Sequence, residues 1–372
     1  MKKSMTSKKP DISIIVSCYK GGKMLPACLN SLINQSLINI EIICINDGSP
    51  DNTLEVIKNF AAKDDRIVVV NNKQNIGISK SRNKGIQLAK ADLIMFCDAD
   101  DYYEPQMCEA MLGAIIDSKA DIAISEINVI YEAHEEMRYS DDNYYSLKYS
   151  GLQAVNEDLI LNTDLSPTNK IFKKDILTNN KIRFPEDLYY EDAFFCSAYL
   201  SCCKSAYYLN ERLYNYIRHE KSTMSNTWSD DKEKDPAIDH LYIAFELFDF
   251  LERSGRIDKY NNLYWKLFLS FELFSINNSK SANRRKEIKS KASQFITKHS
   301  KSFSKLETPT KEEILSINSA GLRINIPKVK KMLINVMPTY RMEVSNVQRL
   351  RSLKNNVKQS RERVDSLLEK IS

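Results

Sequence analysis

Short apolar runs rich in Ile and Val alternate along the first hundred residues with stretches whose apolar positions recur every three or four residues. The runs cover 12–16, 40–45, 67–70 and 93–97. Each is near-continuously hydrophobic, as strands buried on both faces are. Between the first two, Leu25, Cys28, Leu29, Leu32 and Ile33 fall at helical spacing. Leu54, Val56, Ile57, Phe60 and Ala61 repeat the pattern before the third run, and Ile78, Ile86, Leu88 and Ala89 before the fourth. This alternation predicts an α/β fold with a mainly parallel sheet and right-handed crossovers. Ligands of such sheets bind beyond the carboxyl ends of the strands. Those ends are residues 17–19, 46–49 and 98–101, and they are expected to converge on one crevice.

Further along, 121–130 reads as a fifth strand and 131–150 as a polar, Tyr-rich insertion or mobile loop. The pattern over 165–218 is mixed and short in period. After Pro236 it turns helical, with Leu241, Phe245, Phe248 and Leu251 near one helix face. From residue 346, Leu350, Val357, Val364 and Ile371 recur every seven residues, with Leu353 and Leu367 between them, a short and imperfect heptad repeat. The expected organisation is a disordered 1–10, an α/β domain over 11–228, a helical subdomain over 235–325 and a helical tail over 328–372.

Composition narrows the class. The chain is 42% hydrophobic and 28% charged, the balance of a globular protein with a sizeable core. No apolar run reaches the ~18–20 residues that span a bilayer. The basic start MKKSMTSKKP is not followed by an apolar h-region, so no signal peptide is expected. The eight cysteines form no CxxC pair and lack zinc-ligand spacing, which favours buried reduced thiols in the cytoplasm. Net charge is +5, and 328–372 holds eleven Lys or Arg against four acids. The remainder is near neutral, and no nucleic-acid partner is expected.

Two strand ends and one helix start carry candidate chemistry. Residues 97–101, CDADD, crowd three carboxylates whose repulsion a cation would relieve. Asp98 and Asp100 suit a hard divalent ion that takes further ligands from phosphates. A solvated acidic turn or a helix cap ahead of Pro105 is the plainer alternative. INDGSPDNT, 45–53, makes a tight turn in which Asp51 can cap the next helix. Capping leaves Asp47 unexplained, and a carboxylate there can accept the imide N–H of a uracil. In NIGISKSRNKG, 75–85, Gly77 opens a helix carrying Lys80 and Arg82. Amides and a guanidinium at a helix start favour a diphosphate, although a basic surface helix reads the same way.

Together and in this order these segments resemble the family 2 glycosyltransferases. The resemblance runs through ISIIVSCY, SLINQSL, NDGSPDNT, NIGISKSRNKGI and FCDADD to NKIFKKDIL, YYEDAFF and YNYIRHEKST, about 210 residues in all. It implies the GT-A nucleotide-diphospho-sugar fold, with 11–101 binding the donor and 102–228 serving the acceptor. The donor side it implies is Ser17, Tyr19, Asp47, Arg82, Asp98, Ala99 and Asp100. Tyr19 would stack on the base and Asp47 bind it, Arg82 would lie by the base or diphosphate, and Asp98 would contact the ribose. Asp100 and Asp98 would hold Mn2+ or Mg2+, with His219 a further candidate ligand. The general base of an inverting transfer would be Asp192, beside Glu191. A carboxylate in hydrogen-bond reach of an acceptor hydroxyl is suited to that work, although two acids at a helix N-terminus also satisfy its dipole. Asp101, Lys170 and Arg218 are weaker candidates on the acceptor side. Ser17 replaces the family's usual proline, Lys20 its asparagine, and Asn46 stands where many members have a second aspartate.

The expected activity is transfer of a sugar from a nucleotide-sugar, with UDP favoured, to a hydroxyl of a glycan or lipid-linked saccharide. A sugar-phosphate nucleotidyltransferase would carry a fuller Gly-rich basic loop than Gly21-Gly22-Lys23, and a non-catalytic scaffold would not need the intact acids. In the tail, 328–341 joins Lys328, Lys330 and Lys331 to apolar residues. Such a stretch either lies on an anionic membrane face or packs on the helical subdomain. The heptads after it pair two chains as a homodimer or fold back. The expected location is the cytoplasm, peripherally on the inner membrane face.

Overall fold

The computed structural model describes residues 9–131, 138–139, 148–218, 236–279, 281–307, 311 and 314. His219, most of the 131–150 insertion, residues 1–8 and the 328–372 tail lie outside them. The four apolar runs are strands β1 (Ile12–Cys18), β2 (Ile40–Asn46), β3 (Ile67–Asn71) and β4 (Leu93–Asp98), each reaching a little past its predicted end. Helices α1 (Leu25–Ile33), α2 (Thr53–Ala61) and α3 (Ile78–Leu88) connect them. Next come β5 (Tyr102–Tyr103), α4 (Met107–Ser118), β6 (Ile122–Tyr131), β7 (Arg138–Tyr139), β8 (Gly151–Ala154) and α5 (Glu157–Asn162). They lead to β9 (Lys170–Lys173), α6 (Lys174–Asn179), α7 (Glu191–Cys202) and the long β10 (Ser205–Arg218).

One sheet runs in the order β3-β2-β1-β4-β9-β6-β10-β5, with β7 on β6 and β8 on β10. β1, β2, β3 and β4 are parallel to one another, and β10 is parallel to β6. The short β9 is antiparallel to both β4 and β6 and joins the two parallel groups. Its four residues fall in the mixed stretch that gave no strand period. The order reverses at β1, so the carboxyl ends of β1, β2 and β4 border a switch-point crevice. Register completes it: Ser17 lies beside Asp98 and Cys18 beside Asn46.

Alternation along the strands sends side chains to two cores. Ile14, Val16, Ile42, Cys44, Met95 and Cys97 face α1, α2 and α4. Ile15, Ile43, Ile45, Ile94 and Phe96 face α3 and α7. Gly85 lets α3 lie directly on β1, since a Cβ there would sit 2.4 Å from Ile15 Cγ2. Most of α7 is buried, with Phe195 stacked on Phe184 at 3.8 Å and edge-on to Phe96. Burying one such ring stabilises the fold by about 1.5–3 kcal/mol.

The C-terminal helical region begins with a short turn at Pro236–Ile238 and continues as α8 (Asp239–Arg253), α9 (Asn261–Asn278), α10 (Ala282–Lys298) and α11 (Ser300–Ser304). Leu241, Phe248, Trp265 and Phe271 join the same core as Ile15 and Phe195. The helices thus cover the outer face of α7 instead of forming a core of their own. No described helix is long and apolar enough to cross a membrane.

Candidate active site

The turn after β2 is built on two close approaches. Asp47 donates its amide to Cys18 O at 2.8 Å, holding it at the end of β1. Gly48 has φ +64°, and a Cβ there would lie 2.3 Å from the carbonyl carbon of Gln74. Asp47 is 3% exposed. Its Oδ1 accepts from Asn72 Nδ2 at 2.9 Å and Ile76 N at 3.0 Å, and its Oδ2 from Gly77 N at 2.9 Å. This corrects the sequence reading of the helix start. The amides offered to a diphosphate already bind an anion, and it is Asp47. The N-cap of α2 is Asn52, one residue past the predicted Asp51, whose carboxylate accepts from Thr53 N and Gly22 N, both at 3.2 Å.

Arg82 is the centre of the cluster. Its side chain is 5% exposed. Nη2 donates to Asp98 Oδ1 and Nη1 to Glu191 Oε1, both at 2.8 Å. The guanidinium carbon lies 5.2 Å from the centre of the Phe184 ring. Burial works against its charge, but Asp98 and Glu191 outweigh burial and hold it above the usual arginine range. The next residue, Asn83, exchanges two 2.9 Å hydrogen bonds with the backbone of Phe184. So α3 grips the segment that leads into α7. Lys80 extends the grip, 3.0 Å from Asp187.

Glu191 and Asp192 open α7. Burial raises the Glu191 carboxyl and Arg82 opposes the rise. Burial, reinforced by Glu191, pushes Asp192 up to about 7. Asp192 Oδ1 accepts from Ala193 N at 2.8 Å.

At the end of β4 the acids divide. Asp98 is 34% exposed on its side chain, and Ala99 and Asp100 are partly exposed. Asp101 is buried: its carboxylate accepts from Tyr214 Oη and, at 2.7 Å, from Ile217 N. Burial and the neighbouring Asp100 and Asp98 push its carboxyl well up. Tyr214 Oη also accepts from Asp98 N at 3.3 Å. Asp101 is therefore a tie between β4 and β10, not an acceptor contact. Lys170 is corrected likewise. It is fully buried, and Nζ donates to Asp164 Oδ1, Ser166 O and Asn169 Oδ1 at 2.6–2.8 Å. An ammonium has three donors, and all are used. Arg218 ends β10 with its guanidinium 5.7 Å from the Tyr216 ring.

At the end of β1, Tyr19 is 45% exposed, with Lys20 Nζ 5.2 Å from its ring centre. Ser17 Oγ is buried and has no partner among the described residues. Among the described residues no three His, Cys, Asp or Glu side chains gather as a metal cage. Asp98 and Asp100, both partly exposed at the end of β4, carry the oxygen donors that a hard divalent ion would take. Mg2+-like ions are held by one or two carboxylates and take their other ligands from phosphate and water.

Residues 13–179 match the model of Glycosyl transferase family 2. These residues thus form a family 2 glycosyltransferase domain. The chain is a glycosyltransferase, and its relatives are named accordingly. It is 29% identical over 257 residues, 68% of its own length and 72% of the relative's, to the putative glycosyltransferase EpsH of Bacillus subtilis. It is 26% identical over 251 residues to the poly(ribitol-phosphate) beta-glucosyltransferase of Bacillus spizizenii, covering 66% of this chain and 38% of that one. The fold is shared with S. aureus TarS 1-349 in complex with UDP-GlcNAc, with TM-score 0.54 and 19% identity, over 83% of this chain and 90% of that one.

The spacing pattern missed Tyr214, Phe184 and Asn83 as site-builders. Asn83 lies inside NIGISKSRNKG, but nothing local says that its amide meets a backbone 101 residues away.

Proposed function

We propose that this glycosyltransferase inverts the sugar it transfers, from a UDP-sugar to a hydroxyl of a glycan or lipid-linked saccharide, with Asp192 as the general base. The observation that carries the reading is the Arg82 bridge between Asp98 and Glu191. It brings the strand end suited to a sugar diphosphate and a carboxylate near neutrality into one cluster.

Of the two acids, Asp192 is the better base. Glu191 is committed to Arg82, whereas Asp192 makes its hydrogen bond to the adjacent amide. A carboxyl near 7 is matched to taking a proton from an attacking hydroxyl at neutral pH, a contribution of about 10²- to 10⁴-fold. The exposed Tyr19 ring offers a stacking face for a base. Asp47 shapes that end of the crevice through the 72–77 loop, and Ser17, beside Asp98 in register, offers an Oγ without a partner among the described residues. Mn2+ or Mg2+ held by Asp98 and Asp100 would offset negative charge on the departing diphosphate. The complex of TarS with UDP-GlcNAc supports a uridine donor.

The test is a pair of variants assayed with a panel of UDP-sugars and manganese. Asp192→Asn is expected to abolish transfer while binding UDP normally, and Asp100→Asn to lose manganese-dependent UDP binding. Transfer at the wild-type rate by Asp192→Asn removes it as the base.

A further inference from the structure

We propose that Asp239 and His240, at the start of α8, are positioning residues for transfer, holding the Tyr189–Tyr190 segment from which Glu191 and Asp192 project. The proposal rests on the reading of Asp192 as the base.

The segment needs holding. Tyr190 is the N-cap of α7 and lies in the left-handed region, φ +67° and ψ 29°, with no side-chain capping bond. That conformation is unfavourable for a residue with a β-carbon and persists only where its surroundings impose it. Among the described residues, the helical region supplies part of those surroundings. Asp239 is buried, and its Oδ2 accepts Tyr189 N at 3.1 Å. The His240 ring centre lies 3.7 Å from that of Tyr190 and 4.0 Å from that of Phe274 on α9, and the Tyr190 and Phe274 centres are 5.5 Å apart, so the three rings form one mutually packed cluster. The turn before α8 is itself anchored, since Pro236, Ala237 and Ile238 are all buried.

His240 acts through shape, not charge. Burial drives its pKa down to about 3, so the ring is neutral at working pH. Its Nδ1 has no partner among the described residues. The contact is therefore ring against ring, and another aromatic can supply it. Beyond Asp192, α7 is packed on its neighbours independently of His240, Phe194 edge-on to Phe250 of α8 and Phe195 against Phe184 and Phe96. Loss of the imidazole should free residues 189–192 while the rest of α7 stays packed. The C-terminal helices, remote in sequence from every donor-side residue, would then set the reach of the base to the acceptor.

The experiment compares His240→Ala, His240→Phe and Asp239→Asn in the full chain. It follows UDP affinity by calorimetry, UDP release from UDP-GlcNAc, UDP-glucose or UDP-galactose, and amide exchange at 189–192. His240→Ala should lower kcat about 10- to 100-fold, as a misplacement near 1 Å does, with faster exchange at 189–192 and unchanged exchange in α3. UDP affinity should stay within about twofold, and His240→Phe should return kcat to within about threefold of wild type. Should the alanine variant not fold, His240→Leu against His240→Phe reads the same aromatic contact. Normal kcat and normal exchange in the folded variant overturn the proposal, as does a kcat loss that phenylalanine does not restore or that falls in step with UDP affinity. Asp192→Asn run alongside separates the two ideas. Wild-type turnover there defeats the base, whereas loss there with an undisturbed His240→Ala defeats only the positioning. If the wild-type chain turns over none of the three donors, the exchange at 189–192 decides.

Discussion

Arg82 and Glu191, 109 residues apart in sequence, meet at 2.8 Å through Nη1 and Oε1. The same guanidinium reaches Asp98 with its other terminal nitrogen. One planar fork thus joins α3, the end of β4 and the start of α7. Only a guanidinium offers two such donors in fixed geometry. The bridge also lies against Phe184, so water has little access to its inner side.

A lysine cannot span both acids. Arg82→Lys is expected to lower kcat/KM by at least about 10²-fold, because Asp98 and Glu191 lose their common partner. Arg82→Ala should destabilise the fold by about 3 kcal/mol in urea denaturation, the lower end for a broken buried pair, since Asp98 is a third open to water. An unchanged midpoint and rate would show that the bridge is idle.

The pH profile should report Asp192. With its carboxyl pushed up to about 7 by burial and by Glu191, kcat/KM rises through pH about 7 and then levels. The stability effect runs the other way. Between the ordinary carboxyl value of 3.8 and about 7 the folded state binds the extra proton, so this group's contribution is lost as pH rises through that window. Asp192→Asn should remove both trends, read from initial rates and melting curves across pH.

His240 gives the opposite slope. Its pKa falls from 6.5 to about 3 on burial, so between these values the unfolded chain binds the proton and stability falls with acidification. His240→Phe should flatten the loss of melting temperature between pH 6.5 and pH 3. A variant that melts with the wild-type acid slope would place the effect elsewhere.

Gly48→Ala tests the turn. The added Cβ meets Gln74 backbone at 2.3 Å, and φ is +64°. The left-handed conformation alone costs about 1–2 kcal/mol, and the clash adds to it. Denaturation should show a loss above about 2 kcal/mol, together with faster amide exchange at 72–77.

Tyr214→Phe tests the Asp101 tie. The variant keeps the ring and removes the hydroxyl that reaches Asp101 and Asp98. A buried carboxyl left short of a donor costs about 1–3 kcal/mol. If chemical denaturation shows no loss, the hydroxyl is dispensable to the strand end.

The first four strands were legible because burial on both faces requires continuous Ile and Val, and that is a local property of the chain. The strand ends followed from them, and with them Asp47 and Asp98, whereas Asp192 came from the resemblance of YYEDAFF to the family. Asp101 and Lys170 were misplaced for one reason: an acid or ammonium in a motif looks the same whether it faces a ligand or a partner strand. Lys170 faces Asp164, and Asp101 faces Tyr214. β9 escaped notice because four residues are too few to show a period.

By itself, then, the sequence determined the repeating strand-helix pattern, the side of the sheet on which chemistry gathers and the family, since each depends on residue types at short spacing. Tertiary structure alone decided that Arg82 joins Asp98 to Glu191, that Asp47 holds the start of α3, and that the C-terminal helices stack on the Tyr190 segment. These depend on contacts between positions scores of residues apart, and their geometry is set by how the layers pack on either face of the sheet.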